Sequence, residues 1–95
     1  MVKRKISEQD IVDAICLYTA DKRQISPHAV EVELLYDDDY GFSAETFIEG
    51  RKQILITQNI IEAIRLWLDQ VLNEDPFSGI ELLLDDSEGI IALIK

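Results

Sequence analysis

The segment Thr57 to Asn73, TQNIIEAIRLWLDQVLN, constrains the fold more than any other part of the chain, because it is the longest stretch with an unbroken helical period. Ile60, Ile61, Ala63, Ile64, Trp67, Leu68, Val71 and Leu72 fall within about half of a helical circumference, and Gln58, Asn59, Glu62, Arg65, Asp69, Gln70 and Asn73 fill the remainder. Such a helix draws its stability from packing of its apolar side, so the other segments must supply a layer beneath it.

Those segments divide by period. Ser7 is placed to cap the amide of Asp10, the Asp10 carboxylate can reach back, and Ile6 and Ile11 can close over the start as a hydrophobic staple. A helix from about Glu8 to Ala20 is expected, with Ile11, Val12, Ala14, Ile15 and Tyr18 as its buried stripe. Lys22 and Arg23 suit the negative end of the helix dipole, and Ser26-Pro27 forbids continuation. Leu17 and Leu66 lie off their stripes and should meet each other or stay exposed.

From Val30 the period becomes two. Val30, Val32, Leu34 and Tyr36 alternate with Glu31, Glu33 and Leu35, which predicts a strand. Asp37 to Gly41 makes a turn, Phe42 to Ile48 returns, Gly50 serves a second hairpin, and Gln53 to Ile56 reads as a short third strand. Asn73 to Pro76 stops the second helix, and Ile80 to Leu84 and Ile90 to Ile94 form a hairpin about Asp85 to Gly89. The order αβββαββ predicts an α+β two-layer sandwich, with two helices on one face of a mostly antiparallel sheet. With no linker, repeat or low-complexity tract, one domain over residues 1–95 is expected.

Three runs carry a resemblance: Val30 to Glu45 (VEVELLYDDDYGFSAE), Ile61 to Leu68 (IEAIRLWL) and Leu84 to Ala92 (LDDSEGIIA). Together they resemble the YxcD-like family of uncharacterised short bacterial proteins, a similarity that spans most of the chain. The resemblance implies a cytoplasmic protein of a Gram-positive bacterium, and no activity, cofactor or catalytic residue.

Charge narrows the partners. Nineteen acidic against nine basic residues give a net charge of −10, which opposes binding to nucleic acid or to an anionic membrane. The basic N-terminus is not followed by an apolar run of signal-peptide length, and no stretch approaches membrane-spanning length, so neither export nor insertion is expected. The single cysteine, Cys16, cannot form an internal disulfide, as expected of a cytoplasmic chain, and its place beside an apolar stripe suits an inert buried thiol. His28, the only histidine, follows Pro27 in a connection where no nucleophile motif accompanies it. Gly41, Gly50, Gly79 and Gly89 form no phosphate loop, and the aromatics are not interleaved with basic residues as a base-stacking surface requires. No cofactor motif is present, and a non-enzymatic role is favoured.

Two surfaces remain as candidates. Strand parity places both acidic turns at one end of a single sheet, gathering Asp37, Asp38, Asp39, Asp85, Asp86 and Glu88 beside Lys3, Arg4 and Lys5. Asp and Gly are what tight turns select on backbone grounds. The same carboxylates would also attract a basic partner protein, or hold a hard cation such as Ca²⁺ or Mg²⁺, although their spacing is not that of an EF-hand. The second surface follows from alternation. If Val30, Val32, Leu34, Tyr36, Ala44, Ile48, Ile54, Ile56, Ile80, Leu82, Leu84, Ile90 and Ile94 face the core, then Leu35, Phe47, Leu55, Leu83, Ile91 and Leu93 face away, with Glu31, Glu33, Glu45 and Glu81 at the rim. Soluble monomers rarely expose so much contiguous apolar surface, so a homodimer through this face is expected. The favoured reading is therefore a small interaction protein acting as a homodimer; the alternative is a divalent-cation module built on the acidic turns.

Overall fold

The computed structural model describes residues 2–95, which form β1 (Arg4–Ile6), α1 (Glu8–Arg23), a 3-10 turn (Pro27–Ala29), β2 (Glu31–Asp37), β3 (Gly41–Ile48), β4 (Arg51–Ile56), α2 (Thr57–Gln70), β5 (Ile80–Asp85) and β6 (Gly89–Ile94). The class is α+β, as expected. The strands form two antiparallel three-stranded sheets, ordered β1-β6-β5 and β2-β3-β4. The strand β1 lies within what reads locally as a basic arm. It pairs Arg4, Lys5 and Ile6 with Ile94, Leu93 and Ala92, and it buries Ile6. A charged tripeptide acquires this conformation because β6 would otherwise leave a row of backbone groups unpaired beside the core.

Helix α1 starts as its sequence dictates, with Ser7 Oγ accepting the amide of Asp10 at 3.1 Å. It runs on to Arg23, where Gln24 takes a left-handed φ of 56° and its side-chain amide donates to the Asp21 carbonyl at 2.7 Å. Helix α2 begins at Thr57, where Asn59 Oδ1 accepts the amide of Ile56 at 3.0 Å and Thr57 Oγ1 donates to the Phe42 carbonyl at 2.6 Å. It ends at Gln70 rather than continuing to Asn73. Asn73 adopts a left-handed φ of 53°, and the amides of Leu72 and Glu74 close on the Trp67 and Leu68 carbonyls. Val71, expected in the core, is consequently turned out and 51% exposed. Arg65 donates to the carbonyls of Pro76 and Ser78 and so ties the following connection to the helix.

Ile11, Ala14, Ile15 and Tyr18 of α1 and Ile60, Ala63, Ile64, Trp67 and Leu68 of α2 form one buried cluster with Ile6, Ala44, Leu55, Ile90, Ala92 and Ile94. Both sheets thus contribute to the same core. Leu17 and Leu66, off the stripes, are half-buried at its margin. Tyr36 and Leu84, expected inside, are exposed, because each is the last apolar residue before a turn and lies on the edge strand of its sheet. Tyr36 instead packs on Phe42, with ring centroids 4.9 Å apart.

Candidate functional site

The two acidic turns are built alike. Asp37 is aligned with Gly41, and Asp85 with Gly89, across three-residue loops whose closing glycines both have φ of 78°. Asp37 Oδ1 accepts the amides of Asp39 and Tyr40 at 2.7 and 3.0 Å, and Asp85 Oδ2 accepts those of Ser87 and Glu88 at 2.9 and 2.8 Å. These carboxylates organise the turns themselves. The turns belong to different sheets, so the single sheet end that was to gather them is not a feature of the fold. Glu88 is engaged by the Lys5 ammonium at 2.6 Å, a hydrogen bond that holds Lys5 above the ordinary lysine range. Asp38, Asp39 and Asp86 are exposed. Among the described residues no group of three or more His, Cys, Asp or Glu side chains is placed to hold a metal ion.

The expected outer apolar face is divided and differently populated. Leu55 lies in the core, 8% exposed, and Ile54 and Ile56, assigned to the core, point outward with 59% exposure each. The two-residue turn Glu49-Gly50, both at positive φ, decides this. It aligns Ile48 with Arg51, so Ala44 faces Leu55, and every odd-numbered residue of β4 shares the inner face with the even-numbered residues of β3. The signal was present in the sequence: a two-residue hairpin at Gly50 is incompatible with Ile48 and Ile54 on one face. On the outer face of β2-β3-β4 the rows are Glu31-Phe47-Lys52, Glu33-Glu45-Ile54 and Leu35-Ser43-Ile56. Glu45 sits at the centre rather than the rim, directly opposite Glu33 and 3.4 Å from the Lys52 ammonium. On the other sheet Leu83 and Leu93 are half-buried and Ile91 is only 5% exposed, between ion pairs of Lys5 with Glu88 and of Lys95 with Glu81.

Cys16 and His28 line one shallow cleft, but the thiol donates to the Val30 carbonyl at 3.5 Å, and burial, followed by the charge of Asp13, raises it above the usual thiol range. A thiol held protonated is a poor nucleophile. The Cys16 thiol is therefore not an activated nucleophile. The family described as "Protein of unknown function (DUF2653)" matches residues 1–87. The chain belongs to this family. It is also 36% identical over 91 residues to the uncharacterized protein YxcD of Bacillus subtilis (strain 168), covering 94% of this chain and 89% of that one. No solved structure matches. Among the described residues of this DUF2653 protein no helix is long and apolar enough to cross a membrane.

The chemistry of the DUF2653 turns is open to titration. The Asp85 carboxylate is held below the ordinary carboxylate range, first by the Glu88 amide, then by the Ser87 amide, with Lys5 adding to them. A depressed folded value means that the carboxylate supports the hairpin fully above the unfolded value of about 3.9 and loses that support as pH falls through the folded one. The Ser87 and Glu88 amides should therefore keep their shifted proton resonances through about pH 4 and lose them only below it. In Asp85→Asn the acceptor oxygen remains and this pH dependence disappears. An Asp85 carboxyl that titrates at or above the ordinary value contradicts the assignment.

Proposed function

We propose that this DUF2653 protein is a non-enzymatic interaction module that works as a two-fold homodimer, with β4 at the contact. The observation that carries this reading is the pair Ile54 and Ile56, side by side on the outer side of an edge strand and more than half exposed. Edge strands usually carry charges or bulges that discourage pairing. Here Arg51 and Lys52 are confined to the start of β4, and its second half is apolar on its outer side.

Charge distinguishes this contact from one through the whole outer face. Face-to-face stacking of two copies would bring Glu31, Glu33 and Glu45 of both chains together, and like charges at an interface are costly. A contact restricted to β4 keeps these acids apart and leaves Lys52 at its boundary. The exposed side chains of Ile54 and Ile56 alone fall short of the ~800 Å² per partner of a standard interface. Backbone pairing between the two β4 edges supplies the remaining contact, and the resulting dimer is weak enough to dissociate on dilution. A cytoplasmic setting accords with the free thiol of Cys16.

Light scattering across a concentration series tests the reading. The wild type should shift from monomer toward dimer as concentration rises through about 10–100 μM, and Ile54→Glu with Ile56→Glu should remain monomeric and folded. A wild type that is monomeric throughout the series overturns the homodimer. If that monomer binds a basic peptide with chemical-shift changes at Glu31, Glu33 and Glu45, the outer face serves a basic partner protein instead.

A further inference from the structure

We infer that the inner side of the β3-β4 hairpin is a binding site for a phosphate group, with Arg23 and Arg51 as its ligands. A cleft of about 420 Å³ opens there, lined by Arg23, Arg51, Lys52, Thr46, Gln53 and the single acid Glu49 among others. In a chain with net charge −10, two arginines, Arg23 and Arg51, line this one cleft, while Lys52 at its border belongs to the outer face and pairs there with Glu45. Among the described residues neither Arg23 nor Arg51 forms an ion pair, whereas Arg4, Lys5, Lys52 and Lys95 each hold a carboxylate.

The fold brings these groups together by three independent routes. Arg23 is the last residue of α1, Arg51 follows the two-residue turn and is aligned with Ile48, and Thr46 is on the inner face of β3. Arg23 donates to Gln53 Oε1 at 2.6 Å, which fixes one edge of its guanidinium and leaves its other donors available. The Thr46 hydroxyl is buried beneath and is held only by the Gln53 carbonyl at 3.4 Å. Planar guanidinium forks match the oxygen spacing of a phosphate, and two of them suit a dianion better than a single carboxylate. The cleft exceeds the size of a bare phosphate and falls within the range of small-molecule pockets, about 300–1,000 Å³.

The site is separate from the dimer contact. Parity puts Arg51 and Gln53 on the inner side of β4 and Ile54 and Ile56 on the outer side, so either function can fail without the other.

The measurement is a titration of isotope-labelled protein with inorganic phosphate, and in a second arm with glucose 6-phosphate, at constant ionic strength and pH. Saturable shifts of the Arg23 and Arg51 Nε–H signals and the Gln53 side-chain amide are expected in both arms. Tighter binding of the ester identifies a phosphorylated small molecule as the occupant, and equal binding identifies free phosphate. Arg51→Ala should weaken binding about tenfold or more, and Arg51→Lys, which keeps the charge and loses the fork, by a smaller factor. Circular dichroism verifies that both variants fold. Absence of saturable shifts to about 20 mM, or binding undiminished in Arg51→Ala, overturns the site.

Discussion

Replacing Ile64 by Ala is expected to destabilise the protein by about 2–5 kcal/mol, the range for a large-to-small deletion in a closed core. Ile64 has no accessible surface and belongs to the cluster that joins both helices to both sheets. The loss combines the transfer term of the deleted methyl and methylene groups with the cavity that surrounding rigid elements cannot fill. Against a total of about 5–15 kcal/mol for a small domain it is a large fraction, and the melting temperature should fall by at least about 10 °C. Val71→Ala provides the comparison. Both residues belong to one helical stripe in the sequence, yet Val71 lies beyond the end of α2, and its truncation should cost no more than about 0.5 kcal/mol. Equal losses at the two positions would show that the stripe continues as a helix through Asn73. Chemical denaturation of the three proteins decides between these outcomes.

Gly89→Ala is expected to cost about 2–4 kcal/mol, well above the same change at Gly41, although both glycines have φ of 78°. At Gly41 a Cβ meets nothing within 4 Å, so the change exposes only the left-handed backbone penalty, about 1–2 kcal/mol. At Gly89 a Cβ would stand 2.5 Å from Glu8 Oε2 and 3.0 Å from its carboxyl carbon. That carboxylate accepts the amide of Ile90 at 2.8 Å, so relieving the clash displaces a charged acceptor from a half-buried donor. Such a loss adds about 1–3 kcal/mol. The two terms separate in a double-mutant cycle: in a Glu8→Ala background, Gly89→Ala should cost only what Gly41→Ala costs. Strict additivity would mean that Glu8 yields without loss, and that the start of α1 is not fastened to the β5-β6 turn.

The Glu8 contact illustrates why part of this structure is legible in the chain and part is not. Local rules act between neighbours in sequence. Ser7 as cap, Pro27 as terminator, the alternation from Val30, and the Asp-to-Gly turns at Asp37 to Gly41 and Asp85 to Gly89 each follow from steric and hydrogen-bonding preferences over a few residues. The α+β class, the face of α2 from Ile60 to Leu68 and the stripe of α1 could therefore be read directly. The face of β4 was also encoded, in the two-residue turn at Glu49-Gly50, but the apolar spacing of Ile54 and Ile56 pointed the other way. Backbone geometry prevails there, because hairpin register fixes the direction of every side chain that follows.

Other features required partners distant in the chain. Arg4 to Ile6 becomes a strand only because β6 offers an unpaired edge more than eighty residues later, and Glu8 finds the Ile90 amide across a similar separation. Nothing in either local segment specifies such a pairing. The division of the strands into two sheets is of the same kind, and it separates Leu35 and Phe47 from Leu83, Ile91 and Leu93. The convergence of Arg23 with Arg51 in one cleft has the same origin. The sequence by itself determined the two helices, the hairpin strands with their turns, and how charge is distributed among them; tertiary structure alone decided that Arg4 to Ile6 is a strand, which edges meet and which side chains share a surface, because those choices depend on packing between elements rather than on the preferences of any one.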